Sequence, residues 1–274
     1  MKKIFLAAVL FVIVSSSVGV TAQTIFIPRP PVVYIPLLDP VRMHIQNQVF
    51  RNMVTAEAQK GGTKNAKTRI PITAGDYTMY KPRQENSLPK LLAQAGKGNA
   101  AEQRETEQFF NSLIERYEQA GNNHHLLPPN DVAYALVYFI LVNYEAYYDL
   151  VTVPIEKDPW AKRARTETHR TALMNEKRSL LTTEDEDRAM YYQFKEMLSA
   201  KPEFKKMTDA EKQKMTEMLV ITCGIVKAAY DKAIEDENEE LLQEAHKAAK
   251  NSLEELLGVP IDKIKFNLSG MHLK

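Results

Sequence analysis

Pro128-Pro129-Asn130-Asp131, followed by Val132-Ala133-Tyr134-Ala135-Leu136-Val137-Tyr138-Phe139-Ile140-Leu141-Val142, is the stretch that decides the fold. From Val132 to Val142 run 11 residues without a charged or amide side chain. A helix of this composition is apolar on every side and has to be enclosed by other elements. It is well short of the roughly 20 residues needed to cross a bilayer, so it predicts a buried helix and not a membrane span. Asn130 is the expected cap, with Asp131 in the first turn where a negative charge suits the helix dipole. The helix continues through Asn143, Tyr144, Glu145, Tyr147 and Tyr148, and stops before Val151-Thr152-Val153-Pro154, whose β-branched residues and proline break the pattern.

Outward from this centre the sequence offers only helices to pack on it. Asn99 caps a helix from Ala100 to about Ala120, with Phe109, Phe110, Leu113, Ile114 and Tyr117 at helical spacing and Gly121 as the stop. A short helix is expected near Leu88 to Gln94. Thr183-Glu184-Asp185-Glu186 and Thr208-Asp209-Ala210-Glu211 are capping boxes for helices to about Ala200 and Glu235. Asn238 caps a last helix through Leu257, closed by Gly258, with Leu241, Leu242, Ala245, Ala248, Leu253, Leu256 and Leu257 on its inward face. Between them, Asp158-Pro159 starts a basic stretch poor in apolar stripes, expected to form a short exposed helix and a loop. The tail from Ile261 to Lys274 alternates weakly, enough for a docking strand or loop but not for a sheet. The expected fold is all-α, an irregular bundle of roughly five or six helices around the helix at Asp131, occupying 77–274.

Residues 1–22 read as a secretory signal peptide: Lys2-Lys3, an apolar run from Ile4 to Val20, and Val20-Thr21-Ala22 ahead of Gln23. An uncleaved anchor is the rival, and the small residues at the cleavage position favour release after Ala22. The segment 23–76 reads as a proline-rich arm, one helix from Pro40 to about Gln59 ended by Gly61-Gly62, and a linker. Removing 22 residues from 274 leaves 252, and takes Lys+Arg from 36 to 34 against 35 Asp+Glu. That balance argues against nucleic acid, which needs a concentrated cationic face, and against an anionic membrane surface. Cys223 is the only cysteine, so no intramolecular disulfide forms and stability rests on packing.

Tyr80-Lys81-Pro82, Asn130-Asp131-Val132-Ala133-Tyr134-Ala135, and the closing Leu257-Gly258-Val259-Pro260 with its apolar tail resemble an uncharacterised family of exported bacterial helical proteins. The resemblance covers about Tyr77 to Leu273, departs from the family at a basic insertion around Asp158 to Arg178, and implies export and a helical fold. It transfers no catalytic residue.

Few polar groups are placed for chemistry. A buried Asn143 or Glu145 would suit a general acid or base; equally, both would mark the helix end reaching solvent. Tyr134, Tyr138, Leu141, Glu145 and Tyr148 follow one stripe, which reads either as a ligand-binding groove or as core packing. His124 and His125, with Asp131, are weak candidates for Zn²⁺, because adjacent histidines lack the i, i+4 geometry of helical ligands. His44, His169, His246 and His272 are scattered. Lys162, Arg163, Arg165, Arg170, Lys177 and Arg178 form a local basic patch, fit for an acidic partner or simply solvated. Asn267-Leu268-Ser269 fits the glycosylation acceptor. No serine-nucleophile motif follows the signal. The expectation is a non-enzymatic exported protein without metal or cofactor, binding a protein or envelope component; the alternative is a small-ligand-binding bundle or hydrolase with a Tyr-lined pocket.

Overall fold

The computed structural model describes residues 76–83, 85–96, 98–123 and 127–273, together with Val9–Leu10 (β1) and Phe26–Ile27 (β2), which pair antiparallel. The helix expected from Pro40 to Gln59 lies outside the described residues, as do His124 and His125. Helix α1 (Leu88–Ala95) leads into α2 (Ala100–Asn123). Asn99 caps α2 as its side chain accepts from the amides of Ala101 and Glu102, while Glu102 accepts back from the Asn99 amide. The predicted apolar stripe of α2 is buried throughout. Gly121 does not stop it. A Cβ there would lie 2.9 Å from the Tyr134 ring and 3.0 Å from Pro129, so this glycine lets the last turn of α2 touch the start of the core helix.

That core helix is α3 (Val132–Tyr147), with Val132, Ala133, Ala135, Leu136, Phe139 and Ile140 completely enclosed. Its cap is Asp131 and not Asn130. Asp131 has extended backbone and its Oδ1 accepts from the Ala133 amide at 2.8 Å. Asn130 is otherwise employed, its Nδ2 donating to the carbonyl of Tyr80 at 2.8 Å. Backbone bonds from Tyr80 to Asn130 and from Val132 to Thr78 fasten the 76–83 segment beside the same helix start.

The chain then forms α4 (Pro159–Lys162), α5 (Glu167–Leu180), α6 (Glu184–Ser199), α7 (Pro202–Lys206), α8 (Asp209–Glu235) and α9 (Glu239–Leu257). Both predicted capping boxes are formed, Asn238 caps α9, and Gly258 ends it in the left-handed conformation at φ 70°. Ala249, not Ala248, joins Ala245 on the buried face of α9. The tail departs from expectation: after a 3₁₀ turn (Ile261–Lys263), β3 (Ile264–Asn267) and β4 (Gly270–Leu273) form a two-stranded antiparallel hairpin. Buried Gln193 of α6 explains it, its amide donating to the Met271 carbonyl and accepting from the Met271 amide, both at 2.8 Å. A side chain thus stands where a third strand would.

Helices α8, α9 and α6 wrap α3, and α2 crosses α8 at Gly224, where a Cβ would meet the Leu113 side chain at 2.9 Å. The basic stretch, expected as a short exposed helix and a loop, forms two helices, α4 and the largely exposed α5. Lys177 of α5 is buried, its ammonium donating to Asp158 Oδ2 at 2.7 Å and to the Val151 carbonyl at 3.0 Å, while Asp158 Oδ1 caps α4. The protein is all-α apart from its two-stranded ladders, and no helix among the described residues is long and apolar enough to cross a membrane.

Candidate functional site

Helices α3 and α8 end in the same manner. After α3, Asp149 adopts φ 58° while the Leu150 amide bonds to the Glu145 carbonyl; after α8, Glu237 adopts φ 53° while the Asn238 amide bonds to the Ala233 carbonyl. Left-handed backbone at a helix end favours glycine, which has no Cβ to strain. Here both positions carry carboxylates, and cations beside α4 hold both. Arg163 Nη2 lies 2.6 Å from Asp149 Oδ2, and Lys162 Nζ lies 3.2 Å from Glu237 Oε2.

Asp149 is buried and fully engaged. Besides Arg163, its carboxylate accepts from the Tyr230 hydroxyl at 3.3 Å and sits 2.8 Å from His246 Nε2. An ionised carboxylate only accepts, so Nε2 carries the proton of this bond. Burial, and then the negative Asp149, push the Tyr230 phenol well above its ordinary value. The Arg163 guanidinium lies over the ring of Trp160 at 5.3 Å, and the Trp160 indole donates to the Tyr148 carbonyl at 2.8 Å. Of these groups Arg163 and His246 line a cleft of about 370 Å³ between α4, the end of α8 and the start of α9. Lys157, Lys162, Arg163, Glu237, Gln243 and His246 give it polar walls; Pro159, Ile234 and Leu242 give it an apolar one.

The residues expected from sequence fall elsewhere. Tyr134 is buried and stacks on Tyr117 at 5.2 Å, and half-buried Tyr138 meets Tyr117 edge-on at 5.1 Å. Tyr148 belongs to a separate aromatic group with Tyr144 at 4.7 Å and Tyr147 at 4.8 Å. Asn143 is completely buried and donates to the Phe139 carbonyl of its own helix. It faces away from Glu145, about 200° round a helix of 3.6 residues per turn. Glu145 is half-buried, and burial pushes its carboxyl up to about 7, with Lys227 opposing and Asp187 adding to the rise.

Asp131 is wholly committed to structure. Besides capping α3 it accepts from the Thr78 hydroxyl at 3.0 Å, the Tyr191 hydroxyl at 2.8 Å and the Lys195 ammonium at 2.9 Å. Lys195 also reaches Asp76 at 2.5 Å. Burial works to lower the Lys195 pKa, but the two carboxylates hold it above its ordinary value. Among the described residues no group of three or more His, Cys, Asp or Glu is placed to hold a metal.

Sequence reasoning left Asp149, Tyr230 and His246 unassigned, because Asp149 and His246 lie 97 positions apart and only the packing of α9 on α3 joins them. One signal was present: a helix ending at Tyr148-Asp149 with no glycine to close it. The model of a family of unknown function, DUF6683, matches residues 39–166 and 180–274. No curated protein and no solved structure matches the chain. The matched ranges contain Asp149, Arg163, Tyr230 and His246, and they pass over all of α5 except Leu180.

Proposed function

This chain belongs to the DUF6683 family of unknown function, and from that premise we propose that it is an exported, non-enzymatic helical protein that binds a protein or envelope partner through the α4–α8–α9 cleft. One observation carries the reading: Lys162 and Arg163 line this cleft and each holds a carboxylate set in left-handed backbone, Glu237 on the cleft itself and Asp149 buried beside Arg163. Residues held in such backbone cluster at binding and active sites. The residues lining the cleft include no serine, threonine or cysteine, which favours recognition over covalent hydrolysis. Export rests on the basic, apolar and small-residue pattern of the first 22 residues. The test is a photo-crosslinking residue at exposed Gln243 in living cells, expected to yield a discrete adduct in the periplasmic or secreted fraction with a mature amino terminus at Gln23. A cytoplasmic protein, or no adduct, overturns the proposal.

A second reading is favoured by Glu145, whose carboxyl is pushed up to about 7 next to half-buried Tyr138. A general acid tuned toward neutrality is what a small-ligand or hydrolytic site needs. Hydrolysis of an ester, peptide or glycan substrate, abolished by Glu145→Gln, would establish this reading and displace the first.

A further inference from the structure

The ligand class follows from which hydrogen-bonding capacity the cleft has left unspent. Of the acceptors on the cleft, Glu237 serves Lys162 and Glu239 accepts from the neutral Gln243 amide at 2.9 Å; buried Asp149 serves Arg163, Tyr230 and His246. The donors are less committed. Lys157 spends an N–H on the Glu235 carbonyl at 2.8 Å, a neutral group, and has no carboxylate within ion-pair reach among the described residues. Arg163 gives Nη2 to Asp149 and keeps the rest of its planar fork, on a side chain 54% exposed.

Three cations, Lys157, Lys162 and Arg163, line the cleft against two carboxylates, Glu237 and Glu239, so the lining is net positive and an entering anion meets spare N–H groups. Resting on the reading of the cleft as a recognition site, we infer that it binds the oxyanion group, carboxylate or phosphate, of a small organic molecule or chain end, held by Lys157 and Arg163 with its carbon skeleton on Ile234 and Leu242. The volume of about 370 Å³ suits one such group, lying at the small end of the range for ligand pockets. Arg163 presents the geometry that matches either oxyanion in a bidentate manner.

Trp160 is the only tryptophan in the chain, and the Arg163 guanidinium rests on its ring. Its emission therefore reports engagement of Arg163. The purified protein is titrated with N-acetyl-leucine, as a carboxylate with an apolar side chain, with inorganic phosphate, and with chloride, at constant ionic strength. A saturable change with N-acetyl-leucine assigns a carboxylate source and one with phosphate a phosphoryl source, with chloride giving none. Lys157→Gln should weaken that response about tenfold, the loss expected for one charge-assisted bond. Lys250→Gln, on an exposed part of α9, should leave it unchanged, and circular dichroism verifies that both variants are folded. Absence of saturation with either oxyanion, or an undiminished response in folded Lys157→Gln, overturns the inference. If the Gln243 adduct forms while the titrations fail, the ligand class alone falls; saturation without an adduct removes the macromolecular partner and leaves the anion site standing.

Discussion

Glu145 shows how a single residue sets a pH dependence. Its carboxyl is held up to about 7 against an ordinary value of 4.5, so folding favours the protonated form. The stability it contributes is complete below the ordinary value and is lost as pH rises through about 7, by up to about 3 kcal/mol. Glu145→Gln should flatten the decline in urea midpoint between about pH 5 and pH 8; a decline unchanged in the variant would refute the assignment. Asp131 matters instead for the donors it holds together. Asp131→Ala takes the acceptor from the Tyr191 hydroxyl and the Ala133 amide, leaves Asp76 as the carboxylate for Lys195 and Thr78, and should cost about 1–3 kcal/mol in urea unfolding. Only part of this was legible in the sequence. The helix start was plain from Asn130-Asp131, but Thr78, Tyr191 and Lys195 lie 53, 60 and 64 positions from Asp131, and no local pattern announces such partners.

Elements were legible where their signals are local. The capping boxes at Thr183 and Thr208 and the left-handed Gly258 mark boundaries by groups within a turn of each other, and these helices form where expected. The hairpin was not legible, because its ladder is completed by Gln193, 78 positions away. Gln193→Leu should cost about 1–3 kcal/mol by leaving the Met271 peptide groups unpaired, visible as lost hydrogen-exchange protection across β3 and β4. Nor was the end of α2: Gly121 looked like a stop because its role, approach to Tyr134, belongs to another helix. The same holds at the α2–α8 crossing, where Gly224→Ala should cost about 1–3 kcal/mol by forcing Leu113 aside. Helix α5 is held by Lys177 together with Leu173, Met174 and Leu180, which pack on the core. Lys177→Ala buries Asp158 without its partner and should cost about 3 kcal/mol, and a thermal midpoint unmoved by the change would contradict that role.

At the scale of the molecule, one apolar helix dictates the architecture: α3 is mostly enclosed, with a half-buried edge at Tyr138, Leu141, Val142 and Glu145, and the other helices are arranged to supply its walls. The interior divides into two apolar clusters, one around Phe139 and Phe194 and one around Tyr230 and Ala249, yet α3 and α8 run through both. Neither cluster loosens without disturbing the other, so unfolding followed by Trp160 emission and by far-ultraviolet circular dichroism should give coincident transitions. An earlier change in emission would show instead that α4 and α5 detach as a separate unit. Cys223 lies on α8 among these clusters with no exposure, and burial pushes its thiol well above the usual range. Its alkylation must wait for the interior to breathe, so the pace at which a maleimide consumes this one sulfur is a clock for excursions of the native state, and a cysteine introduced at any surface position would be labelled first.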